Sequence, residues 1–403
     1  MNILYFGTVC DAKNYDNLLK GCKAKPSVAP LVFESSFLDG MKKNGAEMEI
    51  YSFPMVPTFP NCKLLRFGGF KEKLECGYEC RWLYTVNLPV LKQLSRKLSG
   101  RRAIKSWCKK NRGDGLILTY SVPPFLVGDV LKYGKKYGVG TVAIIPDLLR
   151  DMYVNEKPSL LTRLKNLYIR PALKKQSGYD GYVYLTEAMA EVVAPDKPYT
   201  VMEGIALCEK DAREERLEKA FPYGIMYAGM LHEKYGIINL IDAFEALKRE
   251  DAELWLFGDG SARAEIERRA AANPSIRYFG TVSRGEILEY EKKATLLINP
   301  RDPDEEFTQY SFPSKTVEYM LSGTPLITTK LRGIPDEYFG YTFASDGNSV
   351  AELKSLMEKC LSLAAEELCA FGKKACRFIT EEKNSKKQAL KVINFLKEVQ
   401  YDA

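Results

Sequence analysis

Histidine is almost absent from this chain of 403 residues, because His232 is the only one. Counting alone therefore argues against a mechanism that needs two histidines, or a metal held by several of them. The ten cysteines are scattered without a CxxC pair, and Cys76 and Cys80 have no second pair of ligands beside them. We expect no metal site and interpret the thiols as reduced, small hydrophobic side chains.

Long hydrophobic runs are also missing, since no stretch approaches the roughly 20 apolar residues that span a bilayer. The N-terminal MNILYFG enters a predicted strand without the basic start or cleavage site of a signal peptide. We therefore expect a cytoplasmic protein. Hydrophobic and charged contents of 46% and 28% are typical of globular proteins. The length predicts two domains.

Charge is distributed unevenly. Residues 1–200 carry 31 Lys+Arg against 18 Asp+Glu, whereas residues 201–403 carry 28 against 34. Two basic segments, 92–112 and 161–175, hold nine and five Lys/Arg, no acid, and interleaved apolar residues. This pattern favours peripheral binding to an anionic membrane surface, where each cation contributes about 1 kcal/mol. A merely solvated basic helix stays open, and the lack of a nucleic-acid motif argues against a nucleic-acid partner.

The clearest structural pattern lies in residues 296–328. An apolar run predicts a strand, a loop follows, and a short helix is expected from about Ser314 to Leu321 before a second extended run. Similar alternation on both sides of a Pro-rich seam near 197–205 predicts an α/β protein with two doubly wound, Rossmann-like domains facing a cleft.

We place these domains at residues 1–198 and 199–383. Residues 384–403 are predicted to form an amphipathic helix that packs back across the seam. Ligands of open α/β sheets bind at the carboxyl ends of the strands. Within the predicted helix after 296–299, Glu318 is a carboxylate among apolar residues, which is unfavourable without a partner. It is therefore a candidate ligand residue.

Four segments of the second half resemble the family 4 retaining glycosyltransferases, which have the GT-B fold. They are YAGMLHEKYGIINLIDAF at 227–244, LWLFGDG at 254–260, IRYFGTVSRGEIL at 276–288 and LLINPR…FPSKTVEYMLSGTPLITT at 296–329. The resemblance implies that the C-terminal domain holds a nucleoside-diphosphate sugar and the N-terminal domain the acceptor. It implies no cofactor beyond that donor substrate.

The resemblance assigns Glu318 to the ribose hydroxyls, because a carboxylate can accept two hydrogen bonds from vicinal hydroxyls. The family's first glutamate, eight residues earlier, is replaced by Tyr310. The loop glycine after the first strand is Gly229, but the two cation positions that follow carry Met230 and Tyr235.

We therefore assign diphosphate neutralisation to Lys234 and Arg301 as catalytic residues. Backbone N–H groups of Ser311, Phe312 and Ser314, at the start of the predicted helix, would add a phosphate cradle.

In the first half, Asp147 follows a predicted buried strand, and the resemblance places a catalytic residue in this region. A helix cap is an equally open interpretation of Asp147. Gly7 follows the first strand, where the family uses a glycine for close backbone approach to a substrate. Asp302-Pro303-Asp304 matches a metal-binding DxD triplet, but it stands in an acidic loop of a GT-B-like segment, so a metal is not expected.

The sequence therefore predicts a retaining, metal-independent glycosyltransferase. It would transfer a sugar to a glycan or lipid-linked acceptor hydroxyl, in bacterial surface-polysaccharide assembly at the inner face of the cell membrane. Two alternatives stay open: a non-catalytic nucleotide-sugar or partner-binding protein, and a nucleotide-sugar epimerase of the same fold. The donor sugar, its base and the acceptor are not specified by the sequence.

Overall fold

The computed structural model describes residues 1–23, 26, 29–149, 160–206 and 223–402, with backbone alone for 160–167 and 402. The side chains of the basic segment 161–175 are thus described only from residue 168 onward. The chain divides into two compact units. Unit 1 comprises Met1–Ile205 with Ser385–Ala403, and unit 2 comprises Ala206–Asn384.

The strands are β1 Asn2–Gly7, β2 Glu47–Ser52, β3 Arg66–Phe67, β4 Lys71–Lys73, β5 Glu79–Trp82, β6 Thr85–Val86, β7 Leu116–Tyr120, β8 Gly140–Ile145, β9 Gly181–Tyr184, β10 Tyr199–Val201, β11 Tyr223–Ala228, β12 Ala252–Phe257, β13 Ile276–Gly280, β14 Leu296–Asn299, β15 Leu326–Thr329 and β16 Phe343–Ser345.

The helices are α1 Ala12–Leu19, α2 Ala29–Lys43, α3 Leu91–Lys110, α4 Val127–Tyr137, α5 Leu160–Lys175, α6 Ala188–Val193, α7 Ile237–Leu247, α8 Arg263–Ala272, α9 Arg284–Lys293, α10 Ser314–Leu321, α11 Val350–Leu361, α12 Ala365–Glu382 and α13 Ser385–Asp402.

The described part of unit 1 is built on a sheet of order β10-β9-β8-β7-β1-β2-β5-β4, in which only the β4–β5 pair is antiparallel. Strands β7 and β8 are buried along their whole length, as expected for parallel strands covered on both faces. The C-terminal helix α13 belongs to this unit. A Cβ on Gly40 of α2 would lie 2.0 Å from the carbonyl oxygen of Ser385, so the glycine allows α13 to approach α2 closely.

Helix α3 carries the first basic segment, and two of its cations point inward. Lys92 and Arg96 are 7% and 6% exposed. The Lys92 ammonium donates to the carbonyl of Val56, and the Arg96 Nη2 donates to that of Pro54 at 2.7 Å. Both cations therefore satisfy backbone carbonyls of the irregular segment after β2, and they are not available to an external partner.

Over the described residues, no helix combines the length and the apolar character that crossing a membrane requires.

Unit 2 is built on an all-parallel sheet of order β13-β12-β11-β14-β15-β16. Numbered within the unit, this is the doubly wound order 3-2-1-4-5-6. The direction of winding reverses between β11 and β14, so their carboxyl ends define the switch point at which such sheets bind ligands. The helix predicted for Ser314–Leu321 is confirmed with those bounds, and it directly follows the β14 loop.

Candidate donor site in unit 2

The loop after β11 begins with Gly229, whose backbone has φ +155°. A Cβ at this position would lie 2.4 Å from the Nζ of Lys315 and 2.3 Å from its Cε. The space that any other side chain would fill is thus occupied by the lysine of the first turn of α10. Glycine is required here both for its backbone angle and for the approach of Lys315.

Arg301 reaches the same region from the loop after β14. Its guanidinium lies 5.0 Å from the ring centre of Tyr235 and 5.9 Å from that of Phe307, a range typical of cation–π contacts. The Arg301 Nη1 is buried without a hydrogen-bond partner among the described residues. A buried donor without an acceptor is unfavourable, which makes Arg301 a candidate ligand-binding residue.

Neither Arg301 nor Lys315 has a carboxylate within 4 Å in the part of the chain that the structure describes. Burial lowers the pKa of both groups, and for Lys315 the negative charge of Glu318 acts in the opposite direction. Both cations lie near Tyr227 of β11. The Lys315 Nζ is 5.9 Å from the centre of the Tyr227 ring. Burial raises the pKa of the Tyr227 phenol, and the charge of Arg301 opposes part of that rise. Two largely desolvated cations with no carboxylate within 4 Å among the described residues make this region a candidate anion site.

Glu318 lies one helical turn after Lys315 on α10, so the two side chains share one face of the helix. Its side chain is 33% exposed, and Oε1 is 3.8 Å from the Nη2 of Arg284, the first residue of α9. Both partners of this pair are open to solvent, so the contact contributes little to stability. The Glu318 carboxylate therefore remains accessible to a ligand.

A second carboxyl group, Glu291 of α9, is fully buried and interacts electrostatically with Glu318. Neither of its oxygens has a hydrogen-bond partner in the described structure. Burial, followed by the charge of Glu318, raises the Glu291 pKa to about 8, while Lys315 and Arg284 oppose the rise. At neutral pH this group is mainly protonated.

Helix α10 is attached directly to β11 by Tyr319. The phenol accepts from the backbone N–H of Ala228 at 2.9 Å and lies 3.2 Å from the Ala228 carbonyl, to which it donates. Tyr319 is fully buried. The bond holds the start of the Gly229 loop at a fixed distance from the helix that carries Lys315 and Glu318.

The other residues predicted for this site lie around the same loops. Lys234 is exposed, with its Nζ 5.3 Å and 5.4 Å from the ring centres of Tyr235 and Phe307. These are the rings that Arg301 contacts, so the structure brings Lys234 and Arg301 together. Tyr310 ends the short 3-10 helix Glu306–Tyr310.

Ser311 and Phe312 then lead to Ser314, the first residue of α10. Phe312 is 9% exposed and packs against Tyr338 at 5.5 Å between ring centres. Because its side chain packs inward, its contribution to a ligand would come from the backbone.

The acidic loop after β14 folds on itself. Oδ1 of Asp302 accepts from the backbone N–H of Asp304 at 2.9 Å, a local turn that aspartate commonly forms. The described residues contain no cluster of three or more His, Cys, Asp or Glu side chains arranged to hold a metal ion. His232 accepts at Nδ1 from the backbone N–H of Ser261 at 3.1 Å, which joins the loops after β11 and β12.

Two predicted residues lie at the carboxyl edge of the unit 1 sheet. Gly7 ends β1, and a Cβ there would lie 1.8 Å from Oε2 of Glu34. Glu34 is buried and accepts from the backbone N–H of Thr8 at 2.9 Å and the hydroxyl of Tyr5 at 2.7 Å. Packing against Glu34 thus accounts for the glycine. Asp147 is exposed after β8.

Sequence reasoning missed Lys315 and Glu291. Lys315 stands three residues before Glu318 in the first turn of the predicted helix, and this spacing is a usable signal, because residues three apart share a face. Glu291 gave no signal, since α9 is rich in charged residues that face solvent.

Comparison with known proteins identifies a family match in the second half of the chain. Residues 222–364 match the family model described as "Glycosyl transferases group 1". They cover less than half of the chain and include the loops and helices of the candidate site. No curated protein sequence matches the chain.

Solved structures are similar along the whole chain. Sucrose-phosphate synthase from Thermosynechococcus elongatus has a TM-score of 0.63 at 15% identity, covering 100% of both chains. The HepE protein of Anabaena, solved in complex with UDP, has a TM-score of 0.61 at 14% identity, covering 99% of this chain and 100% of its own. Trehalose 6-phosphate synthase from Burkholderia multivorans has 0.61 at 12%, covering 100% and 97%.

The predicted fold class is confirmed: the chain is an α/β protein with the two-domain GT-B fold. The family match in unit 2, taken with this fold, supports a glycosyltransferase that uses a nucleotide sugar.

Proposed function

We propose that the protein is a retaining glycosyltransferase of the family 4 type. The observation that carries the proposal is the convergence of Arg301 and Lys315 on the Gly229 loop, at the switch point of the unit 2 sheet. Neither cation has a carboxylate within 4 Å among the described residues. A nucleoside diphosphate offers the negative charge that these groups lack. Glu318, one turn away, would accept from the ribose hydroxyls.

Catalysis would rest on stabilising the leaving group. As the bond from the sugar to the diphosphate breaks, charge develops on the phosphate oxygens beside Arg301 and Lys315. Preorganised cations in a desolvated site stabilise such charge strongly. The N–H groups at the start of α10 would add donors at a positive helix end. Lys234, which is exposed, would contact the solvent-facing side of the diphosphate.

Retention of configuration requires attack from the face that the diphosphate leaves. In the proposed mechanism a departing phosphate oxygen takes the acceptor proton, so no histidine base is needed. These local cations would neutralise the diphosphate without a divalent metal. Asp147 of unit 1 would orient the acceptor hydroxyl, and Tyr310 would contact the donor sugar where the family has a glutamate.

The acceptor would be a glycan or lipid-linked molecule used in bacterial surface-polysaccharide synthesis, with the enzyme bound to the inner face of the membrane. Support comes from the first turns of α3, where Leu91, Leu94 and Leu98 are 45%, 48% and 46% exposed. They share one helix face. Exposed cations such as Lys97 and Arg101 flank them, a pattern typical of interfacial helices.

Calorimetric titration with UDP, GDP and dTDP tests the donor site. We expect one nucleotide to bind, and Lys315→Met and Glu318→Gln each to weaken it about tenfold or more, as loss of a charge-assisted hydrogen bond predicts. Lys354→Met, an exposed lysine of α11 paired with Glu358 at 3.5 Å, is the matched control. Binding that the control and the site variants reduce equally would contradict the assignment.

Transfer is tested with the sugar form of the nucleotide that binds. Slow hydrolysis without acceptor, insensitive to chelator, is expected, and NMR of the released sugar should show the donor's anomeric configuration first. Nucleotide binding without any turnover would favour the non-catalytic alternative instead.

Membrane attachment is tested by sedimentation with anionic vesicles at low and high salt. Leu94→Glu/Leu98→Glu should release the protein, whereas Leu390→Glu, a 44% exposed position on α13 of the same unit, should not. Equal sedimentation of both variants would rule out the α3 face.

A further inference from the structure

Two cysteines of unit 1 face each other across a short antiparallel contact between distant parts of the chain. Cys22 lies shortly after α1, and Cys62 lies in segment 53–63, the irregular chain that follows β2. The two residues form an isolated antiparallel bridge. The residue after Cys22 donates its backbone N–H to the carbonyl of the residue before Cys62 at 2.7 Å. The residue after Cys62 donates to that of the residue before Cys22 at 3.1 Å.

This pattern identifies the cysteines as a non-hydrogen-bonded pair, because the backbone hydrogen bonds lie on either side of them. In such pairs the Cα atoms are about 4.5 Å apart and the two side chains are close together. Disulfides join residues whose Cα atoms are about 4.4–6.8 Å apart. The backbone therefore already holds Cys22 and Cys62 at a separation that a disulfide requires.

The two thiols differ in their access to solvent. Cys62 is fully buried, whereas Cys22 is partly exposed. Burial, followed by a hydrogen bond to Cys62, raises the pKa of the Cys22 thiol. The pair is thus held as thiols in the reduced protein. An external oxidant can meet Cys22, and Cys62 is placed to react only with Cys22.

The ammonium of Lys92 lies near both thiols. It donates to the carbonyl of Val56 and to the hydroxyl of Thr58, the latter at 3.3 Å, and both acceptors are neutral. The charge of Lys92 opposes part of the rise in the Cys22 pKa. Burial, followed by the charge of Arg96, lowers the pKa of Lys92 to about 7, and the two thiols act in the opposite direction. A nearby cation favours the thiolate, which is the reactive form of cysteine.

The pair joins two connections of the unit 1 sheet. Strands β1 and β2 are parallel neighbours, and the connections that contain Cys22 and Cys62 begin at their carboxyl ends, the edge at which such sheets bind ligands. Tyr15 of α1 donates to the carbonyl of Met55 at 2.7 Å, so the connections also meet at a second point. A disulfide would add a covalent link between them.

We propose that Cys22 and Cys62 form a reversible disulfide on reaction with a low-molecular-weight disulfide such as glutathione disulfide, and that this bond fixes segment 53–63 against the chain after α1. The Cys22 thiolate attacks one sulfur of the oxidant, and one glutathione thiolate leaves. The Cys62 thiolate then attacks the Cys22 sulfur, and the second glutathione thiolate leaves. Two protein thiols are oxidised, one external disulfide is reduced, and the two protein protons pass through solvent to the departing thiolates.

Peptide mass spectrometry after alkylation tests bond formation in the full-length protein, equilibrated with reduced and oxidised glutathione. The wild type should give a Cys22–Cys62 crosslink that dithiothreitol removes. Cys62→Ser should stop with one glutathione on Cys22, and Cys22→Ser should leave Cys62 unmodified. Cys76→Ser, which removes a partly exposed cysteine of the same unit, is the control and should form the crosslink.

Two results of this experiment would overturn the proposal. One is recovery of Cys22 and Cys62 as separately alkylated thiols after oxidation. The other is retention of glutathione on Cys22 in the wild type, because Cys62 would then not reach the Cys22 sulfur.

Hydrogen exchange tests whether the bond fixes the segment. Peptides from 53–63 should exchange about tenfold more slowly in the oxidised wild type than in the reduced protein, because a crosslink makes local opening less favourable. Cys62→Ser treated in the same way should show no slowing. Equal exchange in the oxidised and reduced wild type would contradict the proposed effect on segment 53–63.

Only an effect of oxidation on acceptor use rests on the proposed function. A crosslink in a protein that binds no nucleotide would support the disulfide and refute the donor site. Nucleotide binding and turnover in a protein that forms no crosslink would do the reverse. The two proposals therefore fail separately.

Discussion

Replacing Glu291 by glutamine is expected to stabilise unit 2 progressively as the pH rises. The Glu291 carboxyl is fully buried without hydrogen-bond partners in the described structure, and its pKa is about 8 in the folded protein against an ordinary value of 4.5. For a carboxyl whose folded pKa is raised, the stabilising contribution is complete below pH 4.5. It is lost as the pH rises towards 8, because the unfolded chain ionises first.

The size of the effect follows from the linkage of protonation to folding. Between pH 5 and 7 the unfolded state is ionised at Glu291 and the folded state is not, so the free energy of unfolding falls by about 1.4 kcal/mol per pH unit. The wild type should therefore lose about 2–3 kcal/mol over this range relative to E291Q. A glutamine at position 291 also leaves buried polar atoms unpaired, so the difference in free energy of unfolding between the two proteins at one pH combines two effects. The change of that difference with pH is therefore the quantity that tests the protonation of Glu291.

Urea unfolding from pH 5 to 8.5 provides the measurement. Hydrogen exchange of peptides from α9 and α10 should be followed, because the two units need not unfold together. Glu289→Gln, an exposed position on the same helix that pairs with Lys293, is the control and should parallel the wild type. If E291Q also parallels the wild type across the range, Glu291 is ionised in the folded protein and the reasoning is refuted.

Three further outcomes are expected. Gly229→Ala should displace Lys315 and weaken nucleotide binding about tenfold, whereas Gly285→Ala, where a Cβ meets nothing within 4 Å, should not. Tyr319→Phe leaves the last N–H of β11 unpaired and should destabilise unit 2 by about 1–3 kcal/mol in urea. Burial raises the pKa of Glu34 to about 7, so its stabilisation is complete below pH 4.5 and is lost through pH 7. Glu34→Gln should flatten the pH dependence of exchange in β1.

The unit 2 helix α10 shows what local sequence can predict. Its bounds, Ser314–Leu321, are those expected from Pro313 before the helix and Gly323 after it. Proline fits the start of a helix and glycine fits its end, and both effects act within a few residues. Arg301 and Glu318 could be proposed as site residues for the same reason, since they lie in one short β–loop–α segment.

Segment 53–90 shows the opposite case. No regular element was predicted there, and the structure contains only short strands, including the antiparallel pair β4–β5. Lys92 and Arg96 of the following helix were interpreted as part of a membrane-facing surface. Their partners are carbonyls of Val56 and Pro54, and a charge pattern alone does not reveal backbone acceptors about 40 residues away.

The proposed donor site depends both on local sequence and on contacts between distant segments, and this explains which of its candidate residues the sequence did not indicate. Gly229 and Lys315 are far apart in sequence and meet only because β11 pairs with β14 and Tyr319 attaches α10 to β11. The identity of each residue was visible, but the Gly229 conformation that admits the lysine depends on that pairing. A lysine that is proposed to bind phosphate can therefore look like an ordinary surface lysine until the strand order is known. The switch point, rather than any single motif, is what makes Lys315 a candidate.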